Sequence, residues 1–227
     1  MKLLTSYSLA NEILFGNYFL PTFPEKDRLL AKRLPGGGDS EYGSPAWEAG
    51  VLGKVQHVAD YLMSEQGPVE FALADADIQF FPSFSLDRLS GLLAESGCDI
   101  LYQREFGIGG PPGVNTGFYV ARATSCFRDF FSTVQGRLKH AARKSDQTIV
   151  NALLPDSKIK WGYLPWEYYA RTQGFPPPEG SLLHHANGTK ANSLRRKMRQ
   201  LHCVRCYLAG GFPGRIQARI EKILFRL

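Results

Sequence analysis

Long apolar runs are missing from this 227-residue sequence: no stretch approaches the roughly 20 uninterrupted apolar residues that a membrane-spanning helix needs. The opening Met1–Tyr7 run is too short and too polar for a signal peptide, so the expectation is a soluble, cytoplasmic protein. Cysteine is scarce. The four present, Cys98, Cys126, Cys203 and Cys206, do not make the dense disulfide framework of a small secreted domain, and reduced thiols are expected. Internal repeats and low-complexity segments are also absent, which argues against a solenoid or a disordered scaffold.

What is present is enough apolar material, 44% of residues, for one sizeable α/β domain with a continuous core. Charge is unevenly placed. Ten basic residues and one acid, Glu221, fall between Lys190 and Leu227, so this segment is +9 and, from a whole-chain +6, residues 1 to 189 are −3. A positive balance favours anionic partners such as phosphates, nucleic acid or acidic lipid.

Strand-like and helix-like segments alternate, which predicts a layered, mainly parallel sheet flanked by helices. A strand is expected at Lys2–Ser6, then a helical run from Leu9 to Phe19. Val51, Leu52, Val55, Val58, Ala59, Leu62 and Met63 recur at helical spacing between Ala46 and Ser64, and Gly67-Pro68 ends that pattern. The short apolar run Val69–Ala74 reads as a buried central strand. Further helices are expected over Ser85–Glu95, around the Phe127, Phe130, Phe131, Val134, Leu138 stripe, and from Asp146 to Leu154. Strands are expected at Cys98–Tyr102, Val114–Ala121, Ile159–Tyr163 and Ser181–Ala186, and Gly107–Gly113 is a loop.

The central strand ends at Asp75-Ala76-Asp77. Two carboxylates one residue apart repel, and a strand end offers them few partners. Mg²⁺ or Mn²⁺ would resolve the repulsion, because hard cations prefer carboxylate and phosphate oxygens and could in turn neutralise a diphosphate. The plainer alternative is a solvated loop holding two acids. In open α/β sheets, sites gather at the carboxyl ends of such strands.

Phe71-Ala72-Leu73-Ala74-Asp75-Ala76-Asp77-Ile78, Asn115-Thr116-Gly117-Phe118-Tyr119, Asp146-Gln147 and His185-Ala186-Asn187-Gly188, in that order, resemble the nucleotide-diphospho-sugar transferase family. The resemblance covers roughly Lys2 to Lys190. It implies a glycosyltransferase-A domain over residues 1–189, a Rossmann-like mixed, mainly parallel sheet between helices, with residues 190–227 as a basic helical extension on or beside it. The activity implied is metal-dependent transfer of a sugar from a nucleotide-diphosphate donor, most often UDP in this family, to a saccharide or lipid-linked acceptor, with retention.

By position, the resemblance makes Asp75 a contact to the donor's ribose or sugar and a member of the metal site, and Asp77 a metal ligand. His185 is the late histidine ligand, with His184 as rival; on a strand the two would face opposite sides. Lys190 would reach the β-phosphate, or else be a solvated tail lysine. Asn115 would contact a sugar hydroxyl, with Gly117 permitting close approach. Asp146 and Gln147 would face the donor sugar as catalytic residues, although Asp146 also suits a helix N-terminus without any ligand. Thr5, Ser6 and Tyr7 would receive the nucleotide base, and Lys54 would support the donor or stand as an ordinary helix lysine.

Other signals are weaker. His202-Cys203-Val204-Arg205-Cys206 lacks a second pair with zinc-site spacing, and Asn187-Gly188-Thr189 matches a glycosylation sequon of no meaning in a cytoplasmic protein. Ile216, Ile220, Ile223, Leu224 and Leu227 against Arg215, Arg219, Lys222 and Arg226 form a basic amphipathic pattern that suits an anionic membrane surface, the domain itself or a partner. Two rival functions remain. A haloacid-dehalogenase-type phosphatase also begins with Asp-x-Asp, but near the chain start and followed by small or β-branched residues. A nucleic-acid-binding domain would explain the basic tail, yet the acidic balance of residues 1–189 speaks against it.

Overall fold

The computed structural model describes residues 1–35, 41–105, 113–141, 144–168, 177–187, 193–210, 216, 219–220 and 223. Strand β1 (Lys2–Tyr7) is followed by a helical run of changing pitch. A 3₁₀ turn (Leu9–Asn11), the single turn α1 (Glu12–Leu14), a π-helical turn (Phe15–Phe19) and the single turn α2 (Leu20–Thr22) replace the uniform helix expected there. The wide turn puts Phe15, Tyr18 and Phe19 into the core together and stacks Phe15 on Tyr7 at 4.2 Å between ring centres.

Next come β2 (Leu29–Arg33), α3 (Pro45–Ser64), β3 (Glu70–Ala74), β4 (Ile78–Phe80), α4 (Leu86–Ser96), β5 (Ile100–Glu105) and β6 (Gly113–Arg122). Then follow α5 (Ser125–Lys139), α6 (Asp146–Leu153), β7 (Trp161–Tyr163), β8 (Leu183–His185) and α7 (Ser193–Leu208). The helix starts obey local chemistry: Ser44, Ser85, Thr124 and Ser145 each accept a backbone N–H of the first turn of α3, α4, α5 and α6. Gly97 closes α4 in the left-handed region at φ 63°.

Among the described residues, six strands form one sheet in the order β2-β1-β3-β6-β5-β7. All pairs are parallel except those of β6, which runs against both β3 and β5. The mainly parallel layered sheet expected from the alternation is thus present. Helix-side clusters cover both faces: Val55, Val58, Phe127 and Phe131 on one, Phe19, Phe80, Phe84 and Leu89 on the other. β3 is buried on both faces, so its apolar residues show no alternation. Burying Phe71 and Leu73 contributes about 2 kcal/mol each relative to exposure.

Two strands escape the sequence pattern. β2 is a half-exposed edge without clean alternation, and β4 is only three residues long, paired antiparallel with β8 in a separate two-stranded sheet. That small sheet matters most for the site, because it seats Ile78 opposite His185.

Candidate active site at the end of strand β3

β3 stops at Asp75. Its N–H donates to the carbonyl of Gly117 at 2.7 Å, and its own carbonyl accepts from Ile78 at 3.2 Å, closing a tight turn that carries Ala76 and Asp77. Ala186 N–H then donates to the carbonyl of Asp77 at 3.0 Å, so β8 is bound to the turn directly. In consequence Asp75, Asp77 and His185 each turn one ligand atom to a common point, all within 4.8 Å of one another. The strand alternation separates the two histidines as expected: His185 enters this cluster, and His184 is buried elsewhere with its pKa pushed down to about 3 by burial.

β6 is shaped to make room. Its pairing with β5 jumps from Tyr102↔Tyr119 to Gln103↔Asn115, so Thr116, Gly117 and Phe118 bulge out of that ladder while Phe118 still pairs with Ala74 of β3. Gly117 reaches the cluster: a Cβ there would stand 2.7 Å from Oδ2 of Asp75 and 2.9 Å from Nε2 of His185. Asn115 holds the bulge, accepting Gly117 N–H at 2.8 Å and donating to Glu105 at 2.6 Å.

Two lysines border the carboxylates. Lys54, midway along α3, is half-buried and lies 3.2 Å from Asp75 and 2.8 Å from Asp146, the first residue of α6. Asp146 therefore reaches the cluster through Lys54, and Gln147 stands half-buried beside it. Lys197 of α7 lies 2.7 Å from Oδ2 of Asp77. Burial opposes the Lys54 charge, but Asp146 and Asp75 outweigh it and raise its pKa; Lys197 is raised likewise by Asp77. Burial pushes the Asp77 carboxyl up, yet the Lys197 ammonium beside it holds it well below the usual range. Asp75 goes the other way, because burial and the neighbouring Asp77 and Asp146 outweigh Lys54.

A cleft of about 150 Å³ opens over these groups. Ser6, Tyr7, Ser8 and Asn11 line one part, Trp47 and Gly50 of α3 another, and Lys54, Asp75, Asp77 and Lys197 its floor. Thr5 does not reach it, being wholly buried inside the sheet. Ser6 bonds Nδ1 of His57 at 2.9 Å. Lys190 lies outside the described residues.

Sequence reasoning missed Lys197 and Gln103. A signal existed for the first: Leu194, Met198 and Leu201 pack against Leu14, Tyr18 and Ala186, and Lys197 shares that helical stripe, where a solvated lysine would not be placed.

The residues fit a divalent cation on a structural ground. Gln103, wholly buried, donates its amide nitrogen to the carbonyl of Tyr168, so its oxygen faces His185 and accepts from Nδ1 at 2.8 Å. A neutral imidazole donating from Nδ1 has its lone pair on Nε2. That Nε2 is 3.3 Å from Oδ1 of Asp77, which is buried and makes no hydrogen bond among the described residues. Two lone pairs facing each other in a buried place call for a cation between them.

No curated protein matches the sequence. Among solved structures, a glycosyltransferase involved in glycosylation of the major capsid of PBCV-1 superposes with a TM-score of 0.60 at 13% identity, over 88% of this chain and 98% of the other. Mouse xyloside xylosyltransferase 1 gives 0.51 at 8% identity, over 82% and 97%. The glycosyltransferase GlyE of Streptococcus pneumoniae TIGR4 gives 0.51 at 12%, over 88% and 60%. Such identities carry the fold alone, the glycosyltransferase-A type. The sequence model of the nucleotide-diphospho-sugar transferases matches residues 37–201, well over half the chain, and the protein belongs to that family.

Proposed function

We propose that the protein transfers a glycosyl group from a nucleotide-diphosphate sugar, UDP-linked by family habit, to a saccharide or lipid-linked acceptor, with Mn²⁺ or Mg²⁺ held by Asp75, Asp77 and His185. One observation carries the metal: the buried Oδ1 of Asp77 has no hydrogen bond among the described residues and faces Nε2 of His185 at 3.3 Å. A divalent ion there would supply charge neutralisation to the departing diphosphate.

The chain's own residues do the rest. Lys54 and Lys197 border the cleft floor, where ammonium groups stabilise diphosphate oxygens, the role that the family likeness also gives Lys190. Ser6, Tyr7, Ser8 and Asn11 suit the nucleotide base. Asp146 orients Lys54 through their 2.8 Å ion pair, and by the family likeness it acts with Gln147 toward the donor sugar. Glu105, a carboxylate of the kind an inverting transferase needs as base, is held by Asn115, and retention follows the family likeness of the Asn-Thr-Gly, Asp-Gln and histidine set. No described helix is long and apolar enough to cross a membrane. Ile216, Ile220 and Ile223 are exposed beside Arg219, which supports peripheral contact with an anionic membrane surface.

The test is calorimetric titration of UDP, GDP and their sugars with and without Mn²⁺, on the native chain, Asp77→Ala and Lys197→Met. Nucleotide binding should require metal, vanish in Asp77→Ala and weaken at least tenfold in Lys197→Met. A folded native chain that binds no nucleotide under either condition would sink the reading.

A further inference from the structure

We propose that Gln103 is the positioning residue of the metal site: it fixes His185 as the Nδ1-protonated tautomer, so that Nε2 presents a lone pair to the ion. The inference rests on the metal reading above and assigns a role to a residue outside the Asp-x-Asp and histidine set.

Gln103 lies on β5 where that strand's register with β6 breaks, and its side chain is wholly buried. Burying a primary amide is costly unless both ends are bonded. Here both are, and in a directional way. The amide nitrogen is committed to the carbonyl of Tyr168, in the turn Trp166–Tyr168, so the amide cannot flip without placing two carbonyl oxygens against each other. Its oxygen, an acceptor only, then requires a proton on Nδ1 of His185 at 2.8 Å.

A histidine serving only the core would use its second nitrogen on a donor or acceptor that suits it. His185 Nε2 instead faces an orphaned carboxylate oxygen, and the adjacent Gly117 leaves space that any side chain would fill. The arrangement is that of a ligand whose outer partner sets ring orientation and basicity, a relation whose loss weakens metal binding about 10–100-fold.

The experiment has two parts. The native protein has five histidines, so imidazole ¹⁵N NMR without metal, assigned by His185→Gln, reads the tautomer directly. Mn²⁺ alone is then titrated calorimetrically into the native chain, Asp77→Ala, His185→Gln, Gln103→Met and Gln103→Glu, each checked for fold by circular dichroism. We expect Nδ1–H in the native ring, roughly 10–100-fold weaker Mn²⁺ binding in Gln103→Met, and recovery to within tenfold of native in Gln103→Glu, which keeps an acceptor facing Nδ1. A native ring protonated on Nε2, or a folded Gln103→Met that binds Mn²⁺ as tightly as native while His185→Gln does not, would overturn the proposal. If Gln103→Met does not fold, the NMR result decides. If the native chain and Asp77→Ala are equally indifferent to Mn²⁺, the metal reading itself falls and takes this one with it.

Discussion

Gly117 is packed against His185 so closely that a methyl group on its Cα would stand 2.9 Å from Nε2 of the ring. The glycine is there for space, since it is not among the residues with positive φ. The ring cannot retreat cheaply, because Gln103 holds its other nitrogen, and Oδ2 of Asp75 would be 2.7 Å from the same methyl.

Gly117→Ala should therefore disturb the cluster more than the fold. Overpacking of this kind costs about 1–3 kcal/mol, while Mn²⁺ affinity should fall by more than tenfold as His185 and Asp75 are pushed apart. Thermal melting and metal titration of one preparation read both effects. Native-like metal binding in a folded Gly117→Ala chain would show that the cluster tolerates the methyl group.

The sequence disclosed the parts of this site that are contiguous and concealed those that depend on folding. An apolar run ending in Asp75-Ala76-Asp77 marks a buried strand delivering carboxylates to the carboxyl end of the sheet, and the resemblance added His185. What brings His185 to Asp77 is the pairing of β4 with β8, two three-residue strands more than a hundred positions apart, too short for any periodicity to reveal. Lys54 is similar. Its spacing on α3 shows a helix but not that its ammonium lies between Asp75 and Asp146. Lys197 sits in a strongly basic segment, where one half-buried lysine is masked by its solvated neighbours. The uniform helix expected over Leu9–Phe19 failed for another reason: apolar content fixes that the segment packs, and the tertiary fit of Phe15, Tyr18 and Phe19 decides its pitch.

Lys54→Met should cost about 3 kcal/mol at neutral pH, because it strands the buried Asp146 and the half-buried Asp75 without their common partner. The pH dependence tests the cause. Asp75 is already raised by burial, and without the ammonium it rises further above its unfolded value. The folded variant then binds more protons than the unfolded chain, so its stability increases as pH falls. The gap between native and variant, measured by urea unfolding, should narrow from pH 7 to pH 5. A gap that stays constant would mean the loss comes from packing of the lysine stem.

His184 sets a different pH window. Burial pushes its pKa down to about 3 against the pull of Asp77, whereas an unfolded histidine titrates near 6.5. Between those values the unfolded chain binds a proton that the folded chain refuses, so stability is fully present above about pH 6.5 and is lost as pH falls toward 3. Asp77, depressed in the fold, adds its own loss only below the unfolded carboxylate value of about 4, which keeps the two contributions apart. Between pH 6.5 and 4.5 the unfolding midpoint of the native chain should therefore drop more steeply than that of His184→Leu, which has nothing to protonate there. Parallel curves for the two proteins would assign the acid sensitivity to other groups and show that His184 accepts its proton without opening the β4–β8 sheet.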